Sequence, residues 1–175
     1  LSKAKDLTTK VDDYFEVIKA KTAALFEAAT EVGAMAGDAG EADRAALKKY
    51  GAELGIAFQL VDDVLDYGGL SGTIGKNVGD DLREGKMTLP ILHALQNTNE
   101  ADAKFIRENL GDQEADEKTV SRVVAIMKQS GALKATLDRA YEHANLAKDA
   151  LAPLAARNGA RILIEIADYC VERAA

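Results

Sequence analysis

Three carboxylates interrupt an otherwise apolar, helix-compatible stretch that runs from residue 58 to residue 66. An ionised side chain in apolar surroundings is costly unless a partner compensates its charge. Because a helix turns by about 100° per residue, Asp66 lies about 40° and Asp63 about 100° from Asp62 around the axis. Gln59 lies about 60° from Asp62, within the same arc. One helix face therefore presents three carboxylates and an amide, which is a pattern suited to a hard cation.

The residue types around this face narrow the choice of ion. No Cys or His lies nearby, which argues against a zinc site. The alternating acids and central glycine of an EF-hand loop are absent as well. Mg²⁺ takes one or two carboxylates, keeps several waters and fills its remaining positions with phosphate oxygens. The pattern predicts a Mg²⁺ site, and a solvated acidic helix face is the alternative that the motif alone leaves open.

Composition and charge exclude several classes of protein. The chain has 175 residues, 47% of them hydrophobic, with two prolines, which is typical of one helical domain with a real core. A net charge of −7 argues against a nucleic-acid partner. The lone cysteine, Cys170, permits no intrachain disulfide and indicates a reducing cytoplasm. No apolar run is long enough to be a transmembrane segment.

Apolar residues recur at helical spacing along the whole chain, and no strand-like alternation competes with them. We therefore expect an all-α fold. A glycine-rich loop over 68–86 separates the first two helices from the rest, and a Pro90 near a helix start opens the third. The predicted helices span 11–35, 41–67, 88–96, 101–110, 115–130, 131–151 and 157–173.

Lysines flank the acidic helix on both sides in sequence. Lys21 lies near the apolar stripe of the first helix, and Lys76 and Lys86 lie in the glycine-rich loop. Glycines let a backbone approach an anion closely, and lysine is a compact charge for phosphate. With the acidic face, these residues predict a diphosphate–Mg²⁺ site. The alternatives are ordinary solubility for the loop lysines and a snorkelling surface role for Lys21.

Three segments together resemble the trans-polyprenyl diphosphate synthases, which include farnesyl, geranylgeranyl and longer-chain synthases. Residues 55–67 are similar to the family's second aspartate-rich region, residues 75–90 resemble its loop, and residues 21–26 resemble its lysine–threonine segment. The resemblance extends more weakly, as helical pattern, over essentially the whole chain. It implies the antiparallel helical bundle of the isoprenoid synthase type.

The resemblance also implies a role for each matching residue. The metal ligands would be three aspartates, with the first as the most direct: Asp62, Asp63 and Asp66. The residues that contact the allylic diphosphate would be Lys21, Thr22, Gln59, Lys76 and Lys86. The residues that act in catalysis would be Lys21, Lys76 and Asp62. Asp81 matches the loop acid and would support either the geometry of the loop or a metal-bound water.

The implied activity is a prenyl transfer with Mg²⁺ as cofactor. Isopentenyl diphosphate would condense with an allylic diphosphate to give a longer polyprenyl diphosphate. The resemblance further implies a homodimer.

The chain departs from the family pattern in two respects, and one is that the family's Gly-Lys-x-x-Arg segment for isopentenyl diphosphate is missing. The family uses two aspartate-rich motifs, and paired arginines follow the first; here Tyr67, Gly68 and Gly69 follow Asp66. No other motif of this kind precedes Lys21. We therefore expect residues 1–175 to form the C-terminal half of a polyprenyl synthase domain, without the N-terminal half, and to be inactive alone.

Three other functions remain open from the sequence. One alternative is a non-catalytic partner subunit of a heteromeric prenyl diphosphate synthase, although such subunits tend to lose the acids that are retained here. A terpene cyclase usually carries a different second metal motif and lacks this loop. A helical binding module would carry the acidic face by coincidence. The sequence encoded upstream of Leu1 would distinguish a partner subunit from an enzyme.

Overall fold

The computed structural model describes residues 5–69 and 78–174, and its secondary structure there is entirely helical. No β-strand occurs in either described range, so the all-α prediction is confirmed. The α-helices are α1 (Val11–Ile18), α2 (Ala24–Ala36), α3 (Glu41–Leu65), α4 (Asp80–Arg83), α5 (Leu89–Asn97), α6 (Glu100–Asn109), α7 (Glu117–Gln129), α8 (Ala132–Ala150) and α9 (Asn158–Glu172). A π-helical segment, Lys19–Ala23, joins α1 to α2, and a 3₁₀ turn, Ala152–Leu154, precedes α9.

The predicted helices match the observed ones closely, with three differences. The first long helix has the expected extent, but its middle is a π-helical turn. Helix α3 ends two residues earlier than predicted, because Gly68 and Gly69 adopt positive φ angles of 85° and 64° that end a helix readily. The region expected to be loop contains the short helix α4. Residues 70–77 of the predicted loop, which include Lys76, lie outside the described residues.

The chain divides into two compact units, and the first comprises residues 5–14, 62–69, 78–137 and 174 of the described chain. Helices α5, α6 and α7 pack against one another in this unit. Their apolar faces and the end of α3 form a core of fully buried side chains: Val64, Tyr67, Leu82, Ile91, Ile106, Leu110, Val123 and Met127. This core supports the C-terminal turns of α3, on which the predicted metal ligands lie.

The second unit comprises residues 15–61 and 138–173. Its core includes Tyr50, Leu54, Leu151 and Cys170, with Phe26 packed against them. The unpaired thiol of Cys170 is buried, so it acts as a packed apolar residue. Glycines at positions 51 and 55 of α3 let the backbones in this unit approach closely, because a Cβ atom at either position would lie under 3.0 Å from a neighbouring atom.

Helix α3 lies close to the π-helical segment at a glycine, Gly55. A Cβ atom placed on Gly55 would lie only 2.6 Å from the Cα atom of Ala23. A real Cβ would need about 3.5–4.0 Å there. Glycine at position 55 therefore allows α3 to lie directly against the segment that carries Lys21 and Thr22.

Across the described ranges, none of the helices combines the length and the apolar character that a membrane crossing requires.

Candidate active site

The three predicted metal ligands, two in the last turn of α3 and one directly after its end, differ sharply in exposure. Asp62 is exposed, Asp66 is partly buried, and Asp63 is buried with 2% of its surface accessible. All three belong to the first unit. The predicted acidic face therefore consists of one exposed, one partly buried and one buried carboxylate.

Asp63 is held by a tyrosine from α1. The Tyr14 hydroxyl donates to Asp63 Oδ2 at 2.6 Å, and Tyr14 is itself only 5% exposed. Burial, together with the charge of Asp63, raises the pKa of Tyr14 well above its ordinary value. The phenol therefore keeps its proton and remains the donor. Sequence reasoning missed Tyr14, although a tyrosine on an apolar helix stripe must find a partner for its hydroxyl.

Asp66 links the end of α3 to α4. The backbone N–H of Asp81 donates to Asp66 Oδ2 at 3.2 Å, and the N–H of Gly79 donates to the Asp66 carbonyl oxygen at 2.8 Å. Burial and the nearby charge of Asp81 raise the pKa of Asp66 to about 7, against the opposing effect of the Asp81 N–H. A carboxyl group with this pKa holds a proton over part of the neutral range, and a bound cation would favour its ionised form.

Lys86 lies beside the same acids. Its Nζ donates to Asp81 Oδ1 at 2.8 Å and lies 2.7 Å from Glu84 Oε2. Burial lowers the pKa of Lys86, but the hydrogen bonds to the two carboxylates outweigh it, and the net shift is upward. The predicted diphosphate-binding ammonium is thus fully charged and held by carboxylates. Asp66, Asp81 and Lys86 form one connected set in the first unit.

Tyr67 and Thr88 are buried behind this set, and neither hydroxyl has a well-formed hydrogen bond within the described structure. Burial, and then the charge of Asp66, raises the pKa of Tyr67 well above its ordinary value, while the nearby Thr88 hydroxyl acts in the opposite direction. The two hydroxyls lie near each other, but their geometry is not that of a hydrogen bond. Tyr67 therefore stays neutral beside the acids.

The predicted diphosphate contacts of the second unit cluster at the π-helical turn. Thr22 Oγ1 donates to Gln59 Oε1 at 2.7 Å, which joins the turn to α3. Lys21, in the same turn, is exposed. Single π-helical turns occur frequently at functional sites because they reorient a few side chains within a helix. The structure thus brings Thr22 and Gln59 together and leaves Lys21 open to an incoming anion.

The donor set of the first unit fits Mg²⁺. No three Asp, Glu, His or Cys side chains of the described ranges are grouped as a metal cage. Mg²⁺ does not need such a cage, because it binds through one or two carboxylates and completes its shell with water and phosphate oxygens. The exposed Asp62 and the partly buried Asp66 could supply two oxygen ligands of this kind.

Several known proteins are similar to this chain in sequence and fold. The chain is 43% identical to octaprenyl diphosphate synthase of Haemophilus influenzae over 173 residues, which are 99% of the chain and 52% of that protein. The structure matches the decaprenyl diphosphate synthase of Rhodobacter capsulatus with a TM-score of 0.90 at 44% identity, covering 98% of the chain and 53% of that structure.

A polyprenyl synthase of Caulobacter crescentus, solved with calcium and isoprenyl diphosphate, matches with a TM-score of 0.89 at 46% identity. The match covers 98% of the chain and 52% of that structure. The chain thus spans about half the length of the relatives it matches. The family model described as polyprenyl synthetase matches residues 1–127. The chain belongs to the polyprenyl synthetase family.

Proposed function

We propose that this chain contributes a Mg²⁺–diphosphate site to a prenyltransferase that condenses isopentenyl diphosphate with an allylic diphosphate. The observation that carries the proposal is the connected set Asp66, Asp81 and Lys86 beside the exposed Asp62. It combines oxygen ligands for a hard cation with a charged ammonium for phosphate. The names of the relatives, which are diphosphate synthases, support the same reaction class.

We propose Asp62 as the most direct metal ligand and Asp66 as a second one. When bound, Mg²⁺ would neutralise diphosphate charge and make the diphosphate a better leaving group. Asp63, the third acid of the predicted set, is buried and bonded to Tyr14, so we leave it out of the proposed ligand set.

The remaining predicted residues would hold the allylic diphosphate. Lysines place compact positive charge against its oxygens, where negative charge increases as the C–O bond breaks. The Thr22 hydroxyl donates to Gln59 Oε1 at 2.7 Å and so holds the Gln59 side chain in place on α3. The proposed contacts are Lys21, Thr22, Gln59, Lys76 and Lys86, and the proposed catalytic residues are Lys21, Lys76 and Asp62.

Lys86 would need only a local change to act in this way. An ammonium has three N–H donors, and two carboxylates, Asp81 and Glu84, accept from it. A diphosphate oxygen would take the third donor or replace Glu84. Asp81 would keep Lys86 in place during the exchange.

We further propose that the active enzyme is a cytoplasmic homodimer, and that turnover needs a second aspartate-rich motif besides Asp62–Asp66. The family resemblance supports both, and the buried, unpaired Cys170 fits a reducing compartment. We expect the 175-residue polypeptide alone to bind diphosphate without extending it.

The test is a titration with a non-hydrolysable allylic diphosphate analogue in the presence and absence of Mg²⁺. We expect saturable binding that requires Mg²⁺, and its loss in Asp62→Ala. Asp149→Ala, which removes an exposed acid on α8, is the matched control and should bind normally. Unchanged binding by Asp62→Ala would remove this residue from the site. Turnover by the isolated chain would contradict the need for a second motif.

A further inference from the structure

A buried hydrogen bond joins α1 to α3 within the first unit. Tyr14 and Asp63 are 49 positions apart in sequence, and the hydroxyl–carboxylate distance is 2.6 Å. This distance lies within the range of about 2.5–2.7 Å for an O–H donor and an ionised acceptor. Exposures of 5% and 2% show that water reaches neither side chain to any extent. The pair is therefore a tertiary contact and not a surface interaction.

The burial of Asp63 limits what it can bind. A carboxylate that ligates Mg²⁺ must reach an ion that retains several waters. Asp63 Oδ2 already accepts from Tyr14 inside the core, whereas the neighbouring Asp62 is exposed. To reach a hydrated ion, the Asp63 carboxylate would have to leave the core and give up its buried hydrogen bond with Tyr14, which is unfavourable.

The bond also sets the direction of the neighbouring acids. Seen along α3, Asp62 lies about 100° and Asp66 about 60° from Asp63, both on the same side. Holding Asp63 in the core therefore fixes the rotation of the last turns of α3. Asp62 then faces outward, and Asp66 faces the Asp81 N–H at the start of α4.

We propose that Tyr14 is a positioning residue for the metal site, and that Asp63 is the anchor it holds instead of a metal ligand. Asp62 and Asp66 are then the two carboxylates that the anchored helix presents. This inference rests on the proposed Mg²⁺–diphosphate function.

The binding test titrates inorganic diphosphate into the 175-residue chain at saturating Mg²⁺. Tyr14→Phe should weaken binding by about tenfold, as residues that orient metal ligands do, and Asp62→Asn should weaken it further. Asp63→Asn should bind nearly as well as the unmodified chain, because its amide oxygen still accepts from Tyr14. A loss in Asp63→Asn equal to that in Asp62→Asn would overturn the inference, as would normal affinity in Tyr14→Phe.

A second measurement, equilibrium unfolding without metal, keeps the test independent of diphosphate binding. Tyr14→Phe should lower the folded-to-unfolded ratio by about ten- to a hundredfold, as expected for a hydrogen bond to a charged group. The same change in an Asp63→Ala background should have little further effect, and an equal loss in both backgrounds would overturn the anchor.

Tyr50→Phe is the matched control for both measurements. It removes another buried tyrosine hydroxyl, one that donates to the Leu163 carbonyl oxygen at 2.8 Å in the second unit. Tyr50→Phe should reduce stability but leave the affinity for Mg²⁺–diphosphate unchanged. A tenfold loss of affinity in Tyr50→Phe would show that Tyr14 acts only through stability. If the unmodified chain binds no Mg²⁺–diphosphate, the proposed function fails, while the unfolding data still decide the anchor.

Discussion

Replacing Gly55 by alanine tests the close contact that supports the π-helical turn. The added Cβ would lie 2.6 Å from Ala23 Cα and 3.1 Å from Phe26 Cβ. Because the first of these is a backbone atom, α3 and the turn must separate by about 1 Å to restore ordinary contact. Overpacking of this kind costs up to about 3 kcal/mol, while the better helix propensity of alanine returns about 1 kcal/mol. We expect a net loss of about 2 kcal/mol.

Denaturant unfolding measures this change, with Gly33→Ala as the control. Gly33 lies in α2, and a Cβ there meets no other atom within 4 Å. Gly33→Ala should therefore stabilise the chain by about 0.5–1 kcal/mol through helix propensity alone. Gly55→Ala should also weaken Mg²⁺-dependent diphosphate binding, because it displaces Lys21 and Thr22, whereas Gly33→Ala should not.

The outcome that refutes this reasoning is equal stabilisation by the two substitutions. It would mean that α3 and the π-helical turn do not approach as closely at Gly55 as described. A destabilised Gly55→Ala with normal diphosphate affinity would instead retain the contact and remove the turn from the binding site.

Three further predictions follow from the first unit. The pKa of Asp66 is raised from 3.8 to about 7, so between these values the folded state holds a proton that the unfolded state releases. The contribution of this proton to stability is complete below pH 3.8 and is lost as the pH rises through about 7. The free energy of unfolding, measured in EDTA, should therefore fall over this pH range, and Asp66→Asn should abolish the fall. Leu82→Ala, at a wholly buried position of α4, should cost about 2–5 kcal/mol in the same assay, and a smaller effect would show that α4 is not packed into the core. Lys86→Met should weaken diphosphate binding measured by calorimetry, and unchanged affinity would leave Lys86 as a structural partner of Asp81.

Helix positions were predictable from sequence because their causes are local. Apolar spacing and glycine punctuation placed α3 at 41–67, and the structure has it at Glu41–Leu65. Pro90 likewise marked the start of α5, where it lies in the first turn. These signals depend on neighbours in sequence, so a single chain contains them.

The features that sequence reasoning missed depend on distant contacts. The π-helical turn lies where Gly55 lets α3 press against Ala23, and its spacing differs from that of an α-helix by a single residue. The cover over Asp63 comes from Tyr14, 49 positions away. Angles around a helix axis place three aspartates near one face, but they do not tell which of them the rest of the fold buries.

The most direct test of the central claim is calorimetric titration of inorganic diphosphate into the unmodified chain, with Mg²⁺ and with EDTA. The proposed site predicts saturable binding of one diphosphate per chain with Mg²⁺ and none with EDTA. Binding of equal strength in EDTA would show that lysines alone hold the anion. Binding in neither condition would contradict the assignment of a Mg²⁺–diphosphate site to Asp62, Asp66 and Lys86.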